Sequence, residues 1–145
     1  MRAALLLAGL SLAACQPVAQ PESTVQEDVR VRVGPITSSD ELEGIYRVAG
    51  LGEIDMAELN RGLSVMITRD EIDVLENCVS TNWTYRFEGE RLVTKPVEGP
   101  TCRRALMEEE RAIINGFDGA TRVSRTESNG ILFEGSGPDI TLFSQ

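Results

Sequence analysis

The chain has 145 residues, of which 26% are charged and 41% hydrophobic, and its formal net charge is −9 at pH 7. This length suits one compact domain, and the acidic balance excludes a basic footprint for nucleic acid. The sequence contains no histidine, which excludes Ser-His and Cys-His nucleophile pairs and removes the commonest nitrogen ligand for metals.

Residues 1–14 have the layout of a bacterial export signal. Arg2 supplies one positive charge, an apolar stretch follows, and small residues precede Cys15. The stretch is shorter than the roughly 20 residues that span a bilayer, so we expect a cleaved leader. The motif Leu12-Ala13-Ala14-Cys15 resembles the bacterial lipobox, which implies lipidation at Cys15 and anchoring through the attached acyl chains.

Two details qualify this N-terminus. Gln16 stands where the inner-membrane retention signal of enteric bacteria has Asp, which favours the outer membrane, with the domain facing the periplasm. An ordinary secretory leader that happens to end near Cys15 is the alternative.

Residues 15–40 hold three prolines among polar residues and are predicted to form a flexible tether. The alternation at residues 29–33 could instead pair as an edge strand.

The domain is expected to span residues 41–145. Period-two alternation predicts strands near residues 44–48, 63–67, 72–74, 83–87, 91–94, 121–124, 131–133 and 140–143. Glu88-Gly89-Glu90 is predicted to turn one hairpin, and Asn129-Gly130 is predicted to close another with a type I′ turn.

A helical period follows Pro100. It predicts one helix over residues 103–117, capped by Thr101, with Leu106, Ile113 and Phe117 on its buried stripe. Its acidic run is expected on the solvent side, with Arg104 and Arg111 at ion-pairing spacing. The fold class predicted is therefore α+β, a small antiparallel β-sheet or partly closed barrel packed on one α-helix.

Two cysteines remain once Cys15 is lipidated. Export places Cys78 and Cys102 in an oxidising compartment, where an even pair in a small domain is most simply a disulfide. Two free thiols are the alternative. A metal site would need more ligands, and we predict neither a metal nor a cofactor.

Three groups of side chains are candidates for chemistry or binding. The aromatic group lies on one strand face and either packs in the core or lines a ligand groove. The first acidic group either binds calcium or is a solvated strand face, and the second either supplies an acid pair or is a solvated helix surface. The aromatic group is Trp83, Tyr85 and Phe87; the acidic groups are Asp70, Glu71, Asp73 and Glu76, and Glu108, Glu109 and Glu110. Lys95 is the sole lysine, and no Ser-x-x-Lys motif precedes it.

Residues 41–143 resemble the META domain, a small bacterial envelope domain also found in a heat-shock-inducible protein and in lipoproteins. The landmarks are a Gly-x-Tyr-Arg-Val strand at residues 44–48, an Asn77-Cys78 corner before the aromatic strand, and the Gly89 turn. A Thr-Cys pair before a Glu-Glu helix and two final strands, Gly-Ile-Leu-Phe and Ile-Thr-Leu-Phe, complete the set. The resemblance implies an antiparallel sheet on one helix and carries over no catalytic residue.

These observations predict a non-catalytic envelope lipoprotein that binds another envelope component and contributes to envelope integrity or stress tolerance. Its partners would be the membrane, through Cys15, and an envelope protein. The alternative is a lysozyme-inhibitor-like lipoprotein, whose acidic surface would suit a cationic target, although the Ser-Gly-x-x-Tyr signature of that group is absent. An enzyme that uses Asp73 or Glu109 is the third hypothesis.

Overall fold

The computed structural model describes residues 33–59, 62–75, 81–99 and 103–145. In chain order its strands are β1 (Gly34–Pro35), β2 (Gly44–Leu51), β3 (Ser64–Ile67), β4 (Glu71–Val74), β5 (Asn82–Glu88), β6 (Arg91–Val97), β7 (Ala120–Arg125), β8 (Ile131–Gly135) and β9 (Ile140–Ser144). Ser39–Glu41 forms a 3-10 turn, and the α-helix of the described residues, α1, is Glu108–Gly119.

All the strands belong to one antiparallel sheet, in the order β1-β7-β8-β9-β2-β3-β4-β5-β6. The sheet curls so far that β6 comes to lie beside β7. Within the described chain no backbone hydrogen bond joins these two strands. For the described residues the result is a half-barrel with one helix, which is consistent with the predicted α+β class, although strands account for much more of the structure than helix does.

The core lies inside this half-barrel and is formed by the apolar side chains of the alternation predicted from the sequence. Leu63, Val65 and Ile67 are buried along β3 and the residue before it, and Ile72 and Val74 are buried along β4. Successive side chains of a strand point to opposite faces, so each strand contributes every second residue to the interior.

Helix α1 covers one end of the half-barrel. It packs against β2, β6, β8 and β9 and runs directly into β7. Its Phe117 is fully buried, with its ring centroid 5.0 Å from that of Trp83 and 5.2 Å from that of Phe133. The Thr94 hydroxyl on β6 donates to the Phe117 carbonyl oxygen at 2.7 Å. The helix is therefore tied to the sheet by aromatic packing and by a direct hydrogen bond.

The opposite end is covered by the chain that precedes β2. Ile36 and Leu42 are buried there. The Ile36 N–H donates to the Val123 carbonyl at 2.9 Å, and the Tyr46 hydroxyl donates to the Leu42 carbonyl at 2.8 Å. In the part of the chain that the structure describes, residues from Gly34 onward are thus packed on the domain, although residues 34–40 were predicted to belong to the tether.

The helix begins later than predicted, at Glu108 rather than at residue 103. Met107 is the N-cap in extended conformation, and its N–H donates to Glu110 Oε2 at 2.7 Å. Arg104 donates to both oxygens of Glu110, at 2.8 and 2.5 Å. Glu110 is therefore buried within a capping arrangement, and Glu109 is buried as well. The expectation that the acidic run lies on the solvent side is wrong for these two residues.

Both predicted hairpins form, but the second has a different turn. Gly89, with φ of 65°, occupies the tight turn between β5 and β6. Between β7 and β8 the Thr126 N–H donates to the Gly130 carbonyl, and the Asn129 N–H donates to the Thr126 carbonyl. Asn129 has φ of 61°. This is a three-residue loop with one left-handed residue, not a type I′ turn, in which both central residues have positive φ.

Candidate functional site

The aromatic residues of β5 are inside the half-barrel rather than on an open groove. Trp83 is 1% exposed and Tyr85 is 5% exposed, while Phe87 is half-buried at the far end of the strand. The Trp83 indole N–H donates to Asp118 Oδ1 on α1 at 2.7 Å. Trp83 is thus a core residue and does not line a groove. The other two residues approach the surface at the end of the half-barrel opposite the helix.

At that end a depression of about 380 Å³ opens to solvent, which we call the Tyr85 pocket. Its walls come from the segment before β2, from the turn between β3 and β4, and from the end of β5. The lining residues are Thr37, Ser38, Ser39, Arg69, Asp70, Tyr85, Arg86 and Phe87. Sequence reasoning identified Tyr85, Phe87 and Asp70 as candidates, although for separate reasons.

Tyr85 is held firmly at the base of the pocket. Its hydroxyl donates to the Thr68 carbonyl at 2.8 Å, and its backbone N–H donates to the Asp70 carbonyl at 2.9 Å. Its ring meets that of Phe87 edge to face, with centroids 6.2 Å apart. The base of the pocket is therefore an aromatic pair fixed before any ligand arrives.

Two guanidinium groups lie at the rim, and each is already paired with carboxylates. Arg69 lies 3.3 Å from Asp40 and 3.4 Å from Glu43, which joins the β3–β4 turn to the segment before β2. Arg86 pairs with Glu88 at 2.5 Å. All of these side chains are largely exposed, so each pair contributes little to stability. Their effect is to orient the rim and to cancel its positive charge.

The buried tyrosines differ from free phenols in their titration. Burial raises the pKa of Tyr85, and the nearby carboxylates of Glu43 and Asp70 raise it further. Burial also raises the pKa of Tyr46, partly offset by the positive charge of Arg125. Both hydroxyls therefore stay protonated and available as hydrogen-bond donors well above neutral pH.

The acidic group of β4 does not gather at one point. Asp73 is on the outer face of that strand, where the side-chain amide of Asn82 donates to it at 2.6 Å and burial raises the pKa of its carboxyl. Asp70 and Glu71 are exposed on the preceding turn and strand, and Glu76 is outside the described residues. Within the described ranges, no three acidic residues are close enough together to hold a metal ion.

A second, acidic recess lies near the start of α1. It has a volume of about 580 Å³ and is lined by carboxylates and two apolar side chains. Its residues are Glu53, Ile54, Asp55, Glu58, Leu59 and Glu108. Of the predicted helical acid group, only Glu108 lies here. Glu109 is buried, and Glu110 belongs to the helix cap.

All three cysteines lie outside the described residues. The lipidation predicted for Cys15 and the disulfide predicted between Cys78 and Cys102 therefore stay predictions. In the part of the chain that the structure describes, no helix has the length and apolar character needed to cross a membrane.

Comparisons with known proteins return no relative. No protein-family model matches the chain, and no curated protein or solved structure is detectably similar to it. The function is therefore argued from the residues of the chain and their geometry.

Proposed function

We propose that this protein is a non-catalytic lipoprotein of the bacterial envelope, anchored through Cys15, which binds another envelope component through the Tyr85 pocket. Its role would be envelope integrity or stress tolerance. We propose further that its domain is META-like. An antiparallel sheet packed on one helix is what that resemblance implies, and the observed half-barrel is compatible with it.

The observation that carries the proposal is the contrast between the filled interior and the open end of β5. Trp83 and Phe117 are both buried and their rings pack against each other, so the interior beside the helix is occupied by aromatic side chains. At the other end, residues from three segments of the chain surround a pocket with a fixed aromatic base. Concave sites with an apolar base and a few oriented polar groups are typical of ligand binding.

Several features argue for binding rather than catalysis. The chain has no histidine for general acid–base work. Asp73, a hypothetical catalytic carboxylate, faces outward on β4 beside Asn82, away from the pocket. Glu109, the other candidate, is on α1, which covers the opposite end of the half-barrel.

The test is a gene deletion complemented with defined variants. Loss of the gene should increase sensitivity to heat, antibiotics or detergent, and the wild-type gene should restore resistance. A Cys15→Ala variant should leave the membrane fraction and fail to complement, and Phe87→Ala should reach the membrane but complement poorly. Thr84→Ala, exposed on the outer face of the same strand, is the matched control. A deletion strain with unchanged sensitivity would count against the proposal.

A lysozyme-inhibitor-like function is the second candidate, and the acidic recess favours it. Glu53, Asp55, Glu58 and Glu108 place four carboxylates around one concavity, which would attract a strongly cationic protein. A turbidity assay with lysozyme and purified residues 16–145 separates the two functions. Inhibition that disappears in a Glu53→Gln, Glu58→Gln variant would support this second function, and full lysozyme activity at saturating protein would eliminate it.

A further inference from the structure

The Tyr85 pocket has a chemistry that selects among classes of ligand. We infer that it binds one or two pyranose rings of an envelope glycan, with the sugar stacked on the exposed side of Phe87. This inference rests on the proposed function, because an envelope location is what would bring a glycan to the pocket.

The charges around the pocket favour a neutral ligand. Arg69 and Arg86 would suit a phosphate or a carboxylate if they were free, but Asp40, Glu43 and Glu88 already neutralise them. The pocket adds the carboxylate of Asp70, and the whole chain carries a net charge of −9. An anionic ligand would therefore meet an environment that is negative on balance, which favours a neutral ligand.

The pocket also combines hydrogen-bond donors and acceptors. Ser38 and Ser39 offer hydroxyls that both donate and accept, and Asp70 accepts. Arg69 and Arg86 have five N–H donors each, more than their contacts with carboxylates use. A polyol needs such a mixture, because each of its hydroxyls donates one hydrogen bond and accepts others. A purely apolar ligand would leave these groups unsatisfied on binding, which costs free energy.

The aromatic base of the pocket suits the apolar face of a sugar ring. Phe87 is half-buried and its ring packs edge to face on Tyr85, so it presents a fixed apolar surface in a polar rim. The C–H face of a pyranose ring matches such a surface, while the hydroxyls at the ring edge reach the rim. The volume of about 380 Å³ is at the small end of the roughly 300–1,000 Å³ typical of ligand pockets. That size suits a short glycan segment.

Both walls of the pocket are already ordered by hydrogen bonds within the protein. The Thr68 N–H donates to the Glu71 carbonyl at 2.9 Å, and the Glu71 N–H donates to the Thr68 hydroxyl at 3.2 Å, which closes the turn that carries Arg69 and Asp70. On the other wall the Leu42 N–H donates to the Ser39 carbonyl at 2.9 Å. Little conformational entropy would be lost when a ligand binds to walls that are already ordered.

The experiment is a titration of the mature lipoprotein, in a detergent without sugar headgroups, with N-acetylglucosamine, glucose and their β-1,4-linked dimers. Binding is followed by calorimetry and by saturation-transfer NMR. We expect affinity for at least one sugar, which rises from monomer to dimer and is insensitive to salt, since a neutral ligand is not screened. Inorganic phosphate is the anionic probe, and we expect it not to compete.

Variants then locate the site. Phe87→Ala should lower the sugar affinity by about tenfold, the upper range for loss of one aromatic contact. Asp70→Asn, a change at an exposed residue, should lower it by a similar factor of roughly ten, because a charged acceptor is lost. Thr84→Ala should leave the affinity within about twofold, as expected for an exposed site away from the pocket. Unfolding temperatures check that each variant is folded.

The outcomes separate this inference from the proposed function. Absence of sugar binding, sugar binding unaffected by both pocket variants, or competition by phosphate would each overturn the glycan inference. Suppose that one of these results overturns the glycan inference. If Phe87→Ala nevertheless fails to complement the deletion strain, the pocket binds an envelope component of another class and the proposed function stands. If the wild-type protein binds sugar and Phe87→Ala loses that binding but complements the deletion strain normally, the glycan inference stands and the proposed role of the pocket in envelope tolerance fails.

Discussion

The hydrogen bond between Trp83 and Asp118 should carry much of the coupling between α1 and the sheet. Trp83 is the sole tryptophan of the chain and is fully buried, so its fluorescence reports directly on the environment at this contact. Its indole N–H lies 2.7 Å from Asp118 Oδ1. Replacing Asp118, which is itself an exposed residue, removes the acceptor and leaves the indole N–H without this partner in a partly buried setting.

The magnitude follows from two opposing effects. A hydrogen bond to a charged group contributes about 1.5–3 kcal/mol. Asp118 is also in the last turn of α1, where no basic residue lies, and a carboxylate there is disfavoured by the helix dipole by roughly 0.3–1 kcal/mol. We therefore expect Asp118→Ala to lower the free energy of unfolding by about 1–2 kcal/mol. Asp118→Asn keeps a neutral acceptor and relieves the dipole, so it should stay within about 0.5 kcal/mol of wild type.

The assay is equilibrium urea unfolding followed by tryptophan fluorescence, with circular dichroism as a second probe of the same transition. Glu127→Ala removes an exposed carboxylate in the loop between β7 and β8 and serves as the control, with an expected change within about 0.5 kcal/mol. The reasoning is refuted if Asp118→Ala and Glu127→Ala have the same free energy of unfolding. Equal losses in Asp118→Ala and Asp118→Asn would show that the charge, rather than the acceptor, is what matters.

Three further predictions address other parts of the domain. The pKa values of Tyr46 and Tyr85 are raised in the folded state. Their contribution to stability is therefore complete below pH about 10 and is lost as the pH rises above it. Phenolate absorbance should appear only together with unfolding, and phenolate formation in a protein that is still folded would contradict this. Gly135→Ala should unfold the domain or destabilise it by more than about 2 kcal/mol, because a Cβ would overlap the backbone oxygen of Gly119. Gly62→Ala is the control, because nothing lies within 4 Å of the added Cβ. Thermal denaturation should show this second variant to be close to neutral. The cysteine pair of the domain should resist alkylation until reduced, and its reduction should cost about 3 kcal/mol of stability for a loop of roughly 25 residues; two thiols alkylated in the native, unreduced protein would refute the disulfide.

The strand pattern could be predicted because it depends on local alternation and on burial of one face. Val65, Ile67, Ile72 and Val74 are all interior, as their period of two requires. The hairpin at Gly89 was equally accessible, since a turn with positive φ favours glycine. For these elements the conformation favoured by the local sequence is the one found in the tertiary structure.

The start of the helix could not be predicted from periodicity alone. Residues 103–107 continue the helical spacing, but Arg104 turns back to pair with Glu110, and the Met107 N–H is bound by the same carboxylate. This arrangement favours capping at Met107 over another helical turn. The competition between a cap and one more turn depends on side-chain geometry that spacing does not encode.

The pocket could be predicted only in part. The pattern of β5 placed Tyr85 and Phe87 on one face, but it did not separate them from Trp83, which is enclosed by α1. The wall formed by residues 37–39 is polar and follows prolines, so it had the composition of a tether. Its docking depends on Ile36 meeting β7, a contact between residues far apart in the chain.

The manner in which the chain enters the domain has a mechanical consequence. If the protein is anchored at Cys15 as we propose, a pull from the membrane would enter the described part of the chain at Val33, pass through the two residues of β1 and reach Ile36, whose side chain is 1% exposed. The load would thus act first on β1 and Ile36, and then on the segment that forms one wall of the Tyr85 pocket. Because Ile36 belongs to the core, tension on the anchor would disturb this edge of the core and the pocket wall together, so occupancy of the pocket and tension on the anchor would oppose each other.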